Sequence, residues 1–190
     1  MSFKIIVDSC CDLTPAQLRE DCFVSVPLTI RVGEHIVVDD ASFDQGALLW
    51  RMKESATAPQ SSCPSPIQYL EAFDCGADDL YVVTLSALLS GSHNAAAQAR
   101  SLWLEDHPNS NVHIFNSCSA SAGEVLVSLM AADPKHEGRR LSIVHCNCLE
   151  RAFHVKELVM KQCRFGEILI SDTGGISTVY ANDGGIVVAY

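Results

Sequence analysis

Basic side chains are scarce in this chain. Its 190 residues include 13 Lys and Arg against 23 Asp and Glu, which gives a formal net charge of −10 with histidine neutral. The densest basic stretch, 135–140, also contains Glu137. Because binding to a phosphate backbone or an anionic membrane depends on clustered positive charge, this balance argues against nucleic acid and anionic lipid surfaces as partners.

Long apolar runs are missing as well. The first residues reach Asp8 before a signal-peptide core can develop, and no later run approaches the roughly 20 apolar residues that span a bilayer. The nine cysteines are an odd number without regular spacing, which indicates free thiols rather than a disulfide framework. We therefore expect a soluble, cytoplasmic protein with no membrane span.

The remaining composition, 48% hydrophobic and 19% charged, is typical of a folded globular protein. Short apolar runs alternate with segments of helical pattern, which predicts an α/β fold with a mainly parallel sheet flanked by helices. Ligands of such sheets bind beyond the carboxyl ends of the strands. The predicted strands are 4–7, 23–27, 29–32, 35–38, 80–85, 112–115, 141–145, 167–170 and 186–189, the predicted helices are 15–21, 42–54, 66–76, 93–105, 122–132 and 149–162, and loops are predicted at 55–64 and 173–185.

One break in composition divides the chain. Residues 133–140 are polar and charged and include a proline and a glycine. We predict an N-terminal α/β lobe over 1–132 that carries the ligand loops, a linker over 133–140 and a C-terminal α/β segment over 141–190.

Small hydroxyl residues gather in the loops predicted to follow strands. They occupy 86–92 and 117–121, with Ser9 after the first strand and Ser61 and Ser62 in a further loop. Backbone N–H groups at helix starts, together with serine hydroxyls, can hold a carboxylate or phosphate without a cationic side chain. The same serines could instead serve only as N-caps. Their presence in successive loops favours an anion pocket.

Short motifs in these loops resemble blocks of the DegV family. The blocks recur in order over 1–130 and more weakly over 141–190. They are Ile5-Ile-Val-Asp-Ser9, Asp12-Leu13, Val26-Pro-Leu28, Ser61-Ser-Cys-Pro-Ser-Pro66, Leu85-Ser-Ala-Leu-Leu-Ser-Gly-Ser92, Asn116-Ser-Cys-Ser-Ala-Ser121 and Gly184-Gly-Ile-Val-Val-Ala-Tyr190.

The resemblance implies a bacterial, two-lobed α/β protein that binds a long-chain fatty acid and is not an enzyme. Some family members present the acid to a partner kinase that phosphorylates the acyl carboxylate. No cofactor or metal is implied, and the bound fatty acid is the ligand. The family also carries a block the size of a small domain where this chain has only 131–140, so the second lobe is expected to be reduced.

The resemblance also implies site residues. Ser61 and Ser90 are expected to hydrogen-bond the carboxylate, and Tyr180 stands where the family has a histidine. A phenol can donate one hydrogen bond but does not become a cation near neutral pH. The full set of expected ligand-binding residues is Ser61, Ser62, Ser86, Ser90, Gly91, Ser92 and Tyr180.

Two other functions remain open on the sequence. A serine-type acyl hydrolase would use one of the serines at 86, 90 or 92 as nucleophile, with His93 or His145 as base and Asp8 as its partner, although no Gly-x-Ser-x-Gly motif occurs. A degenerate domain kept for protein contacts would bind no ligand.

A metal site is not expected. His145, Cys146, Cys148 and His154 are the closest approach to a zinc ligand set, but their spacing is not that of common zinc sites. Nucleotide-binding glycine motifs are missing too, so any phosphoryl donor would come from a partner.

Overall fold

The computed structural model describes residues 2–133, 138–161 and 164–190. A short 3₁₀ helix lies at Gln17–Arg19. The strands are β1 Phe3–Asp8, β2 Phe23–Val26, β3 Thr29–Val32, β4 His35–Val38, β5 Gln60–Ser62, β6 Asp79–Thr84, β7 Asn111–Asn116, β8 Arg140–His145, β9 Glu167–Asp172 and β10 Ile186–Ala189, and the helices are α1 Gln45–Glu54, α2 Pro66–Phe73, α3 Ser92–Asp106, α4 Ala122–Ala132, α5 Leu149–Met160 and α6 Gly175–Ala181.

A four-stranded parallel sheet in the order β2-β1-β6-β7 forms the centre of the fold. Successive side chains of a strand point to opposite faces, so β1 contributes to two apolar layers. Ile6 packs against Tyr69 of α2 and Ala96 of α3 on one face, whereas Val7 packs against Val125 of α4 on the other. This sandwich confirms the predicted α/β fold and places the loops after β1, β6 and β7 at one edge.

A small antiparallel sheet in the order β4-β3-β5 lies beside the central one. Its β3–β4 hairpin has Gly33 in the turn at a φ of 60°, a conformation that glycine adopts without steric cost. Strand β5 pairs with the other edge of β3 and sets Ser61 opposite Ile30. The pairing fixes the position of a segment that the sequence predicts to be an irregular loop.

A third sheet in the order β10-β8-β9 carries the C-terminal part of the chain. Strands β8 and β9 are parallel and β10 is antiparallel to β8. Its own core includes Leu141, Ile143 and Ala152. Helix α4 contacts both β8 and β10, so this sheet packs directly on the first lobe. The linker at 133–140 between an N-terminal lobe and a C-terminal segment stays a prediction.

Two helices differ from the prediction. The helix expected at 15–21 is only the 3₁₀ turn, in which Gln17 accepts hydrogen bonds from the backbone and side chain of Thr14. The N-cap of α1 is Asp44 rather than Ser42, since the Asp44 side chain accepts from the backbone N–H of Ala47. By contrast, Ser65 and Gln68 form the capping box that the sequence predicts for α2.

The predicted loop 173–185 contains helix α6. Asp39 accepts hydrogen bonds from the backbone N–H groups of Gly175 and Ile176, at 2.7 and 3.1 Å, and so satisfies the first turn of this helix. A Cβ on Gly175 would lie 2.6 Å from a methyl of Ile30, so the helix can approach β3 only with glycine here. Gly175 thus allows a helix to pack closely where the sequence predicts a loop.

Two predicted segments fall partly outside the described residues. These are the linker 133–140, at 134–137, and the end of the helix predicted over 149–162, at residue 162. In the part of the chain that the structure describes, no helix is long and apolar enough to cross a bilayer.

Candidate binding cavity

A cavity of about 770 Å³ lies at the carboxyl ends of β1 and β6, against β5, α6 and β10. This is the location predicted for a ligand site of a parallel sheet. Its lining residues are Cys10, Leu28, Ser61, Ser62, Cys63, Leu85, Leu89, Ser90, Gly91, Ala120, Ser121, Ile176, Ser177, Tyr180, Ala181, Gly185, Ile186 and Val187.

Five of the seven predicted site residues line this cavity. They are Ser61, Ser62, Ser90, Gly91 and Tyr180, which come from three distant parts of the chain. The Tyr180 side chain is 75% exposed, so the phenol borders solvent. A cluster of hydroxyl groups therefore meets solvent at one part of the cavity wall, as a site for a polar ligand group requires.

The segment after β6 presents Ser90 through local hydrogen bonds. The backbone N–H of Ser90 donates to the Ser86 carbonyl at 3.1 Å, and the Ser90 hydroxyl accepts from the backbone N–H of Ser92 at 3.1 Å. Gly91 keeps this turn close to β5, since a Cβ there would lie 3.0 Å from the sulfur of Cys63. The fold thus brings Ser90 toward the Ser61 strand.

Ser86 and Ser92 do not line the cavity. Ser92 is completely buried, and its hydroxyl donates to Asp8 at 2.6 Å and contacts the hydroxyl of Tyr69 at 2.6 Å. The Ser86 hydroxyl accepts from the backbone N–H of Leu88 at 3.3 Å. Their partners are protein groups, so both serines hold the loop in place.

Two further serines line the cavity without having been predicted as ligand residues. Ser121 has a φ of 53°, unusual for a residue other than glycine, and its hydroxyl donates to Asp12 at 2.6 Å. Ser177 is a buried residue of α6. Ser121 belongs to the serine-rich segment 117–121 that the sequence analysis noted. Ser177 lies in a segment predicted to be a loop, so no sequence pattern pointed to it.

The rest of the wall is apolar. Side chains from the segment before β3, the segment after β6, α6 and β10 contribute to it, and the described residues that line the cavity include no Lys or Arg. Leu89 is 72% exposed beside the serine cluster. The apolar lining residues are Leu28, Leu85, Leu89, Ile176, Ile186 and Val187.

Buried carboxyl groups tie the cavity loops together. Asp12 accepts from the backbone N–H of Gly174 at 2.6 Å as well as from Ser121, and Asp39 accepts from Ser9 at 2.9 Å in addition to α6. Burial raises the pKa of Asp12 to about 7 although these hydrogen bonds oppose the change. These carboxyl groups satisfy loop donors that would otherwise be buried without partners.

The geometry does not support a hydrolase. Ser92 donates directly to Asp8 with no imidazole between them, and the Nδ1 atom of His93 contacts Thr84 at 3.3 Å. The Nδ1 atom of His145 lies 3.3 Å from an oxygen of Asp172. Within the described chain, no serine–histidine hydrogen bond of the kind that activates a nucleophile is found.

Among the described residues, the histidines and cysteines closest to a zinc ligand set in sequence do not form a cluster. The described residues contain one group of three potential ligand side chains, Asp8, Cys10 and Glu124, and it includes none of the residues at 145, 146, 148 and 154. Of that group, Cys10 alone is among the described residues that line the cavity.

An α/β protein with one hydroxyl-lined, otherwise apolar cavity at its strand ends has the architecture of a small-molecule-binding protein. A family profile described as "Uncharacterised protein, DegV family" matches residues 2–140. The chain therefore belongs to the DegV family. A DegV domain-containing protein of Streptococcus pneumoniae is 47% identical over 127 residues, 66% of this chain and 44% of the relative. The match thus spans less than half the length of that curated relative.

Solved structures show the same fold. A DegV family protein from Ruminococcus gnavus, refined with vaccenic acid, has a TM-score of 0.93 and 31% identity, and the alignment covers 100% of this chain and 99% of that one. The Fatty Acid Kinase (Fak) B3 protein of Streptococcus pneumoniae, loaded with linoleic acid, has a TM-score of 0.84 and 26% identity, with coverage of 100% and 99%.

Proposed function

We propose that this chain is a non-enzymatic carrier of a long-chain fatty acid. The observation that carries the proposal is the cavity of about 770 Å³, which joins a serine cluster to an apolar wall. Its volume lies within the range of roughly 300–1,000 Å³ that is typical of small-molecule sites. The relatives refined with vaccenic and linoleic acids support the same ligand class.

The chemistry of the wall assigns the two ends of the ligand. Ser61 and Ser90 would donate hydrogen bonds to the carboxylate, assisted by Ser62, the backbone around Gly91 and Tyr180. The acyl tail would lie against the aliphatic side chains, where each buried CH₂ contributes about 0.8 kcal/mol. The tail thus supplies most of the affinity, and the serines orient the carboxylate.

Removal of both hydroxyls tests the carboxylate site. Each hydrogen bond to a charged group contributes about 1.5–3 kcal/mol, so Ser61→Ala and Ser90→Ala should each weaken binding of vaccenic acid by roughly 10-fold or more, and the double variant by more than either. Titration calorimetry with vaccenic acid measures this effect.

Ser101→Ala is the matched control, because this serine is exposed on α3 and its hydroxyl donates to the carbonyl of Ala97 in its own helix. Its affinity should equal that of the wild type. A double variant that binds vaccenic acid as tightly as the control would contradict the assignment of the serines.

A partner kinase that phosphorylates the acyl carboxylate is part of the proposal. The serine cluster borders solvent, where Tyr180 is exposed, so a bound carboxylate would be accessible to a second protein. The fatty acid kinase of Streptococcus pneumoniae, supplied with ATP and the acid-loaded chain, should form acyl phosphate detectable by mass spectrometry. If a chain that is shown to carry the fatty acid yields no acyl phosphate, the result contradicts the proposed kinase partner.

No cofactor is part of this proposal, since the fatty acid is the ligand. We also propose a cytoplasmic location. The eight cysteines among the described residues are all free, as expected in a reducing compartment.

A further inference from the structure

Glu124 is a buried carboxyl that the proposed binding site does not use directly. It lies in the first turn of α4 with 0% of its surface exposed. Within the described chain, neither of its carboxyl oxygens receives a hydrogen bond from an N–H or O–H group. A buried carboxylate without donors is strongly disfavoured, so the neutral, protonated acid is the stable form here.

The neighbours of Glu124 reinforce this state. A carboxyl oxygen of Glu124, a carboxyl oxygen of Asp8 and the sulfur of Cys10 all lie within 4.8 Å of one another. Burial and the nearby charges of Asp8 and Asp12 raise the pKa of Glu124 well above its usual value, whereas that of Asp8 rises only to about 6. Because Asp8 accepts hydrogen bonds from three protein groups and Glu124 from none in the described chain, the shared proton resides on Glu124 and Asp8 is the ionised partner.

Among the described residues, no buried basic side chain offsets the negative charge around Glu124. The buried side chains of the described residues include four carboxyl groups but no Lys or Arg. The titratable groups that face Glu124 are Asp8 at the end of β1, Cys10, Cys11 and Asp12 from the segment after it, and Tyr69 from α2.

Asp8 in turn holds both ends of the segment that carries Ser90. One carboxyl oxygen accepts from the backbone N–H of Leu85 at 2.9 Å and from the Ser92 hydroxyl at 2.6 Å. The other accepts from the backbone N–H of Cys10 at 3.2 Å. A single carboxylate therefore fixes the cavity loops after β1 and β6 relative to each other.

We propose that Glu124 is a positioning residue for the carboxylate site, in which its protonated carboxyl donates a hydrogen bond to Asp8 and so holds segment 85–92 with Ser90 directed toward the ligand. This inference rests on the proposed function for its binding readout. Asp8 already accepts three hydrogen bonds from protein groups, and this use of its lone pairs favours a shared proton over a bound cation between the two carboxyls.

The amide of Gln reproduces the neutral acid, because it can also donate to Asp8 without carrying charge. Vaccenic acid binding is therefore measured from about pH 6.5 to about pH 9.5 for the wild type, Glu124→Gln and Glu124→Ala. Glu124→Gln should bind as tightly as the wild type at neutral pH, Glu124→Ala should be weaker by roughly 10-fold at every pH, and the wild type should lose more affinity than Glu124→Gln at high pH.

Glu150→Gln is the matched control, since Glu150 occupies the first turn of α5 as Glu124 does that of α4, but is exposed. Its pH profile should equal that of the wild type. Equal loss of affinity in Glu124→Gln and the wild type at high pH, or in Glu124→Gln and Glu124→Ala at neutral pH, would overturn the positioning role.

Amide hydrogen exchange without ligand separates this inference from the proposed function. The Leu85 amide should exchange faster in Glu124→Ala than in the wild type and Glu124→Gln, since its acceptor is displaced. If Glu124→Ala does not fold, the pH profiles of the other two proteins still decide. If the wild type binds no vaccenic acid, the proposed function fails, and equal exchange at Leu85 in the folded variants overturns the role of Glu124.

Discussion

The buried carboxyl groups are the most unusual feature of this protein at the scale of single residues. Asp8, Asp12, Asp39 and Glu124 are all buried, yet the charge of the three aspartates is met by backbone N–H and serine donors from the cavity loops. Hydrogen bonds to a charged acceptor are stronger than those between neutral groups. The acids therefore serve as the common attachment points of loops that are distant in sequence.

These acids make stability depend on pH. Burial raises the pKa of Asp8 from 3.8 to about 6 and that of Asp12 to about 7, so the folded protein holds protons that the unfolded chain releases. Their contribution is fully present below about pH 4 and is lost as pH rises through about 6 to 7. Urea denaturation should show the free energy of unfolding falling over this range, by on the order of 3 kcal/mol for Asp8 alone.

Asp8→Asn removes one of the titrating groups and serves as the comparison. Its free energy of unfolding should fall less steeply between about pH 4 and pH 7 than that of the wild type. Equal slopes in the two proteins would show that Asp8 has an ordinary pKa and would contradict the description of the acid network.

The sequence identifies the chemistry of the site better than the direction of each side chain. The serine-rich loops and the motif resemblance together selected seven residues, and five of them line the cavity, including Ser61 and Ser90. Ser86 and Ser92 share the same loop and the same chemical type but bond to protein groups. The path of the backbone between Leu85 and Ser92, which Asp8 fixes, decides which of these hydroxyls faces the cavity and which bonds to other protein groups.

At the scale of elements, the parallel core was predictable because its signals are local. Apolar runs define β1 and β6, and the Ser65–Gln68 capping box marks the start of α2. Strand β5 and helix α6 were not predicted, because distant residues stabilise them. The first depends on pairing with β3 and the second on Asp39, which precedes it by more than a hundred residues.

These two elements also shape the cavity. Strand β5 contributes Ser61 and Ser62, and helix α6 contributes Ser177 and Tyr180. Asp39 links α6 to the loop after β1, since it accepts hydrogen bonds from the backbone N–H of Gly175 and from the Ser9 hydroxyl. The binding site is therefore built from the parts of the fold that depend most on tertiary contacts.

At the scale of the whole molecule, the region that matches the Streptococcus pneumoniae protein spans 44% of that relative's length. A second cavity of about 920 Å³ opens beside α4 and β10, lined in part by Leu126, Val127, Met130 and Tyr190. Met130 and Tyr190 are 65% and 83% exposed. The reduced second lobe stays a prediction from the family resemblance.

The most direct measurement is the lipid content of the purified chain, obtained by native mass spectrometry followed by denaturing extraction. A fatty-acid carrier should retain about one long-chain fatty acid per chain, because burial of many CH₂ groups makes dissociation slow. The native mass should then exceed 20.6 kDa by the mass of that acid. A chain that is empty as purified and that takes up no vaccenic acid when it is offered would contradict the account.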